Sequence, residues 1–213
     1  MKLLGIIAVV LIFNACGDDE VKKVLPVLGN CDVVTNADGE IDTICPTIPD
    51  FEYLNQDSVK ITADDMRGKV WVAEFFFATC PTICPVMTTQ MKRLNTMTKD
   101  ISDELQFISF SINPKHDQPS VLKQYIEDHG IKVKNWQFLT GDESATHNLG
   151  VEYFMVHAAS DEAAPGGFAH SPAFTLVDRE GYVRGVYVGT DPKEVDKMEK
   201  DIRKLLKHEY EVE

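Results

Sequence analysis

Apolar and polar positions change period repeatedly along the chain, and each change marks an element. Residues 70–77, VWVAEFFF, form a nearly continuous apolar run, as expected for a strand buried on both faces. Residues 84–99 follow with helical spacing and place Val86, Met87, Met91 and Leu94 on one face. A second strand is read at 105–112, LQFISFSI. A helix over 117–129 then takes Asp117 as N-cap, Pro119 in its first turn and Gly130 as its stop. Residues 136–140 form a third strand, and Asp142 caps a short helix ending near Gly150. An extended segment starts at Phe154 and gives way to a loop of small residues over 158–167. Residues 173–178 and 182–188 form a hairpin around Arg179, Glu180 and Gly181. Asp191 and Pro192 open a closing helix with Val195, Met198, Ile202 and Leu205 on one face.

A β-α-β half followed by a β-β-α half predicts an α/β, thioredoxin-like fold: a central mixed β-sheet flanked by helices. This domain is expected to occupy 47–213. Ahead of it, 16–46 reads as a tether and an N-terminal β-hairpin, with 32–35 and 41–44 as strands. A three-residue loop at 37–39 puts residues whose numbers sum to 76 opposite one another. Cys31 and Cys45 satisfy that sum, so a structural disulfide across the hairpin is expected. No His or Met lies near that pair to suggest a metal site.

The extreme N-terminus has a different pattern. Lys2 precedes an apolar run over 3–13, then Asn14, Ala15 and Cys16, then an abrupt polar stretch. This is the layout of a secretory signal over 1–15. It resembles the lipoprotein type, in which the cysteine is acylated and becomes the new N-terminus, although Phe13 stands where an aliphatic residue is usual. The competing readings are an ordinary signal peptide or an uncleaved anchor with an incidental Cys16. Each version puts the folded part outside the cytoplasm, on the periplasmic side in a bacterial lipoprotein, where disulfides persist.

Composition narrows the function. The chain has 213 residues, with 21 Lys+Arg against 34 Asp+Glu, a formal net charge of −13. Nothing in that balance suits a nucleic-acid backbone. The acidic surface confers solubility or favours a basic partner. No apolar run reaches the roughly 18–20 residues of a membrane-spanning helix. Five cysteines are present. With Cys16 lipidated and Cys31 facing Cys45, one pair remains, Cys80 and Cys84.

That pair sits in Thr79-Cys80-Pro81-Thr82-Ile83-Cys84-Pro85, where a buried strand ends and a helix begins. The unpaired N–H groups and dipole at a helix start favour the thiolate form, which both metals and disulfide exchange require. Three residues separate the sulfurs, one more than in a thioredoxin-type redox pair. The longer loop can close a disulfide or spread the sulfurs around a metal. Two thiolates suit Cu(I), and a nitrogen ligand helps to hold Cu(II). Structural zinc normally takes four protein ligands. Of the six histidines, His129, His147 and His208 fall late in helices and read as surface residues. His116 lies in a polar turn, and His157 closes an apolar segment. His170, in Gly166-Gly167-Phe168-Ala169-His170-Ser171-Pro172, precedes an inner strand. In a thioredoxin-like fold the turn entering that strand lies against the N-terminus of the cysteine-bearing helix, which puts His170 in reach of the sulfurs.

FFFATCPTICPVM, INPKHDQP, GGFAHSPAF and GVYVGTDPKEV resemble the Sco/SenC family over roughly 47–207. The resemblance implies a membrane-held copper-binding protein that helps to assemble the binuclear copper site of cytochrome c oxidase. It implies Cys80, Cys84 and His170 as copper ligands, an oxidase subunit as copper acceptor, and a thiol reductant as a second partner. Two positions depart from the family. Asn113 stands before Pro114 where Asp is usual, with Asp117 the nearest carboxylate. Pro172 falls where thioredoxins carry a cis-proline, so a cis bond after Ser171 is expected here.

Three further features are weighed. Glu74 interrupts an apolar strand, either to tune the site or as a strand-edge carboxylate reaching solvent. The helical methionines read as packing. The loop over 158–168 is expected to let His170 swing onto and off the metal. The alternative function is an extracytoplasmic thiol–disulfide oxidoreductase in which Cys80 attacks and Cys84 resolves. A thiol peroxidase fits less well: Cys80-Pro81-Thr82 resembles a peroxidatic cysteine, but the proline expected a few residues earlier is Phe or Ala.

Overall fold

The computed structural model describes residues 24–36, 38–132 and 134–212. The expected signal over 1–15, Cys16 and the tether up to residue 23 lie outside the described residues. In chain order the strands are β1 (Asp32–Thr35), β2 (Ile41–Ile44), β3 (Glu52–Asn55), β4 (Lys60–Thr62), β5 (Val70–Phe76), β6 (Leu105–Ser111), β7 (Trp136–Thr140), β8 (Ala158–Ser160), β9 (Phe168–His170), β10 (Ala173–Val177) and β11 (Val183–Val188). The helices are α1 (Cys84–Met97), α2 (Pro119–Asp128), α3 (Glu143–Glu152) and α4 (Pro192–Glu209).

Seven strands form one mixed sheet in the order β11-β10-β5-β6-β7-β3-β4. β5, β6 and β7 run parallel, while β10 pairs antiparallel with β5 and β3 antiparallel with β7. Every residue of β5 and β6 is buried; β5 is accordingly an almost unbroken apolar run, while β6 also buries Gln106, Ser109 and Ser111. Phe75 stacks on Phe110 at 5.2 Å on one side of the sheet, and Phe76 meets Tyr125 and Phe138, each at 5.4 Å, on the other. Met87, Met91 and Leu94 of α1, and Val195, Met198, Ile202 and Leu205 of α4, close the core. The helical methionines 87, 91 and 198 are thus packing residues. Val86, read as part of the apolar face of α1, is 44% exposed. No helix among the described residues is long and apolar enough to cross a membrane.

The hairpin forms in the expected register, Asp32 opposite Ile44 and Thr35 opposite Ile41, and Cys31 is bridged to Cys45. Five expectations are corrected. The β3–β4 hairpin was not anticipated; its strands are short, and only Tyr53 and Asn55 of β3 are buried. The small-residue stretch contains β8, paired with β9 in a two-stranded sheet that carries Ala158 opposite His170. Asp117 does not cap α2, because Gln118 takes that place and the Asp117 carboxylate turns inward. His129 and His147 are half-buried rather than on the surface, His129 Nδ1 donating to the Tyr125 carbonyl at 2.8 Å and His147 Nε2 to the Ile112 carbonyl at 3.0 Å. The bond between Ser171 and Pro172 is trans, since the described residues contain no cis peptide. The chain runs from β9 directly into β10, with Ser171 N–H bonded to the His157 carbonyl at 3.0 Å, so no tight turn calls for the cis form.

Candidate metal centre

β5 carries the chain to the site and α1 receives it. After Phe76 the backbone bends, and the Cys80 N–H donates to the Phe77 carbonyl at 3.1 Å. Asp117 holds this bend from below. Its fully buried carboxylate accepts from Ala78 N–H at 3.0 Å, from Ser111 Oγ at 2.6 Å and from His116 Nδ1 at 2.8 Å. Ile83 occupies the N-cap of α1, and Pro85 lies in the first turn, where a missing N–H leaves nothing unpaired.

Cys80 is 8% and Cys84 2% exposed, and neither is bridged. Burial pushes the Cys80 thiol up, but the N–H groups of Cys84 and Thr82 and the Cys84 and Thr82 side chains outweigh it and hold Cys80 below the ordinary thiol range. Burial dominates at Cys84. Together with the neighbouring Cys80 and the charge of Glu74, it drives that thiol far above its ordinary value despite the Phe77 N–H. The start of α1 therefore favours the thiolate at Cys80 and the thiol at Cys84.

His170 closes β9. Its Nδ1–H donates to the Ser171 carbonyl at 3.2 Å, which leaves the lone pair on Nε2. Nε2 accepts from Cys84 Sγ at 3.2 Å. Burial lowers the imidazole pKa and keeps the ring neutral, while the bond to Ser171 acts in the opposite sense. Phe77 stands edge-on to His170, ring centres 5.8 Å apart, and packs on Phe168 at 5.3 Å. Gly166 lies close over this wall at φ +85°, where a Cβ would meet the Phe77 ring at 2.7 Å. A cleft of about 370 Å³, lined by Cys80, Thr82, His157, Pro165 and His170 among others, opens the site to solvent.

The ligand atoms of Cys80, Cys84 and His170 all lie within 4.8 Å of one another. These three residues, separate in sequence, are brought together. His116, His129, His147, His157 and His208 do not join them. Sequence reasoning missed the inward turn of Asp117. The same reasoning left Glu74 between tuning the site and reaching solvent from a strand edge; it is 1% exposed, so the solvent-reaching alternative fails. Glu74 Oε1 accepts from Ser109 Oγ at 2.7 Å, Ser109 Oγ accepts from Trp136 Nε1 at 2.8 Å, and Glu74 Oε2 has no partner among the described residues. Burial, partly offset by the Ser109 bond, raises its pKa to about 7. One signal for this was available: a single charged residue inside a run that is otherwise buried on both faces.

The SCO1/SenC family model matches residues 43–207. A SCO1/SenC family lipoprotein from Bacillus anthracis str. Ames is 32% identical with a TM-score of 0.69, covering 75% of this chain and 94% of that one. BsSco, described as a member of the Sco family of cytochrome c oxidase assembly proteins with a disulfide switch, is 30% identical with a TM-score of 0.66, covering 74% and 91%. Yeast Sco1 with copper bound is 26% identical with a TM-score of 0.58, covering 74% and 90%.

Proposed function

The chain belongs to the SCO1/SenC family, and from that premise we propose that it is a copper chaperone that carries the ion on Cys80, Cys84 and His170 and delivers it to the binuclear copper site of cytochrome c oxidase. The observation that carries this reading is the convergence of two sulfurs and one imidazole nitrogen within 4.8 Å. Copper is the cargo. Two soft thiolates suit Cu(I), and the neutral imidazole supports Cu(II). Cys80, already inclined to the thiolate, is the first ligand to meet the ion through the open cleft. The Ser171 carbonyl fixes the His170 tautomer, so that Nε2 faces the sulfurs with its lone pair. Phe77 and Phe168 keep one side of the site dry. Asp117, through Ala78, fixes the bend from which Cys80 projects. Loading needs both sulfurs reduced, so a thiol reductant is a required partner.

The test is copper titration of the reduced protein beside His170→Ala, followed by the thiolate-to-Cu(II) absorption band. The variant should lose most of its Cu(II) affinity and shift the band. An unchanged titration and spectrum removes His170 from the site.

In this reading Cys16 carries a lipid that holds the protein on the outer side of a membrane; the lipoprotein relative from Bacillus anthracis supports it. Cys16→Ala should move the protein from the membrane to the soluble fraction, and continued membrane association would refute lipid anchoring at that residue. A second reading, thiol–disulfide exchange, is favoured by one observation: Cys80 is held low and Cys84 high, the asymmetry that an attacking and a resolving cysteine use. His170→Ala separates the two readings, because exchange does not need the imidazole.

A further inference from the structure

We propose that Thr82 sets the balance between the two copper states at this site: its hydroxyl donates a hydrogen bond to the Cys80 sulfur and so weakens the bond of that sulfur to Cu(II) more than its bond to Cu(I). The inference rests on Cys80, Cys84 and His170 as copper ligands and names a positioning residue for them. Thr82 is the middle one of the three residues between the two cysteines. Its Oγ1 lies 3.7 Å from Cys80 Sγ, within reach of a hydrogen bond to sulfur. A cysteine sulfur that binds copper carries no proton, so in the loaded site the hydroxyl is the donor and the sulfur the acceptor.

The two sulfurs have different surroundings. Cys80 and Thr82 line the cleft that opens to solvent, and the N–H groups of Thr82 and Cys84 also reach the Cys80 sulfur. Cys84 is 2% exposed and meets His170 Nε2 at 3.2 Å. Among the described residues, Thr82 supplies the one hydroxyl bonded to either sulfur. Thr82 is branched at Cβ, which restricts χ1 and holds the hydroxyl in its place. Pro81 before it has a fixed φ.

A thiolate binds Cu(II) by donating electron density from a sulfur lone pair, and a hydrogen bond draws on the same density. Cu(II) takes up more of it than Cu(I) does, so the hydrogen bond costs the Cu(II) complex more. Hydrogen bonding around a cysteine sulfur tunes copper–thiolate centres for this reason. No electron is transferred in loading either ion; only the relative affinities change. Hydrogen bonds to charged groups amount to roughly a tenfold effect or more in an equilibrium constant. A hydroxyl 3.7 Å from a sulfur lies at the weak end of that range.

The test uses the reduced full-length protein at one fixed pH. Thr82→Val keeps the shape and removes the hydroxyl, whereas Thr82→Ser keeps the hydroxyl. Cu(I) and Cu(II) affinities are measured by chelator competition, and the thiolate-to-Cu(II) band is recorded. Thr82→Val should bind Cu(II) about three- to tenfold more tightly than wild type, with its Cu(I) affinity nearly unchanged. Its band should move to lower energy, because the sulfur donor level rises when the hydrogen bond is lost. Thr82→Ser should restore both. Thr82 is exposed, so its replacement leaves the core untouched; if Thr82→Val does not fold, Thr82→Ala removes the same hydroxyl. An unchanged or reversed ratio of affinities together with an unchanged band in Thr82→Val overturns the proposal and leaves the copper ligands standing. Thr82→Ser behaving like Thr82→Val overturns it too, since the hydroxyl is then not the acting group. If wild type binds neither state of copper, the proposal falls together with the chaperone reading.

Discussion

At Cys80 and Cys84, two identical side chains at one helix start are shifted in opposite directions, because hydrogen bonds outweigh burial at Cys80 whereas burial dominates at Cys84, with the charge of Glu74 adding to it. Glu74 is the third member of that balance, and its effect on stability has a definite sign. Its folded-state pKa of about 7 stands above the ordinary 4.5, so the folded protein keeps a proton that the unfolded chain has lost. The stabilisation from that proton is complete below pH 4.5 and is lost as pH rises through about 7. The shift corresponds to about 3 kcal/mol. Glu74→Gln, which does not titrate, should therefore be more stable than wild type at pH 8 by roughly that amount, with the advantage gone near pH 4.5. Urea unfolding of the reduced, metal-free proteins at the two pH values measures it. An advantage of equal size at both would mean that Glu74 is not a buried titrating group.

Among the elements, the clamped hairpin and the β8–β9 ribbon behave differently from the main sheet. β1 and β2 form their own two-stranded sheet, with Val33 71%, Ile41 75% and Ile44 58% exposed. So small a ribbon is marginal on its own, and the bridge between Cys31 and Cys45 supplies on the order of 3 kcal/mol by limiting the unfolded loop. Replacing both cysteines with serine should abolish amide-exchange protection in 32–44 while leaving the thermal midpoint of the main domain nearly unchanged. A large fall in that midpoint would mean that the hairpin is part of the main cooperative unit. The bridge was legible beforehand because hairpin register is pure arithmetic. The β8–β9 ribbon was not, since its three-residue strands, one of them all small residues, are too short to carry an alternation; what sets them is pairing across the loop, where His170 meets Ala158.

On the scale of the whole molecule, a buried ion cluster joins the two ends of the described chain. The Arg184 guanidinium, fully buried, reaches Asp178 at 2.9 Å, Glu209 at 2.6 Å and the Leu25 carbonyl at 2.6 Å. Val24 N–H donates to Glu209 at 2.6 Å and Leu28 N–H to Val183 at 2.8 Å. Val183 lies opposite Val177, which in turn faces Trp71 near the start of β5, whereas the metal centre follows the end of that strand. The N-terminal strap at residues 24–28 thus lies at the end of the sheet remote from the cysteines. Arg184→Ala leaves Asp178 and Glu209 buried without their cation and should cost about 3–5 kcal/mol. It should also open the strap near Val24 to protease. A variant with unchanged stability and cleavage would show that the cluster does not hold the strap.

What the sequence determined is what local physics can set. The apolar runs gave β5 and β6, helical spacing and caps gave α1, α3 and α4, hairpin arithmetic gave the disulfide, and the softness of two sulfurs narrowed the choice of metal. Tertiary structure decided which way each lone polar side chain turned. Asp117 looked like a cap and became the brace under Ala78. Glu74, open in the sequence to two readings, became a buried acid rather than a carboxylate reaching water, and Pro172 needed no cis bond. Chain periodicity records only which face of an element is apolar, whereas the partner of a single polar group is fixed by residues brought alongside it by the fold.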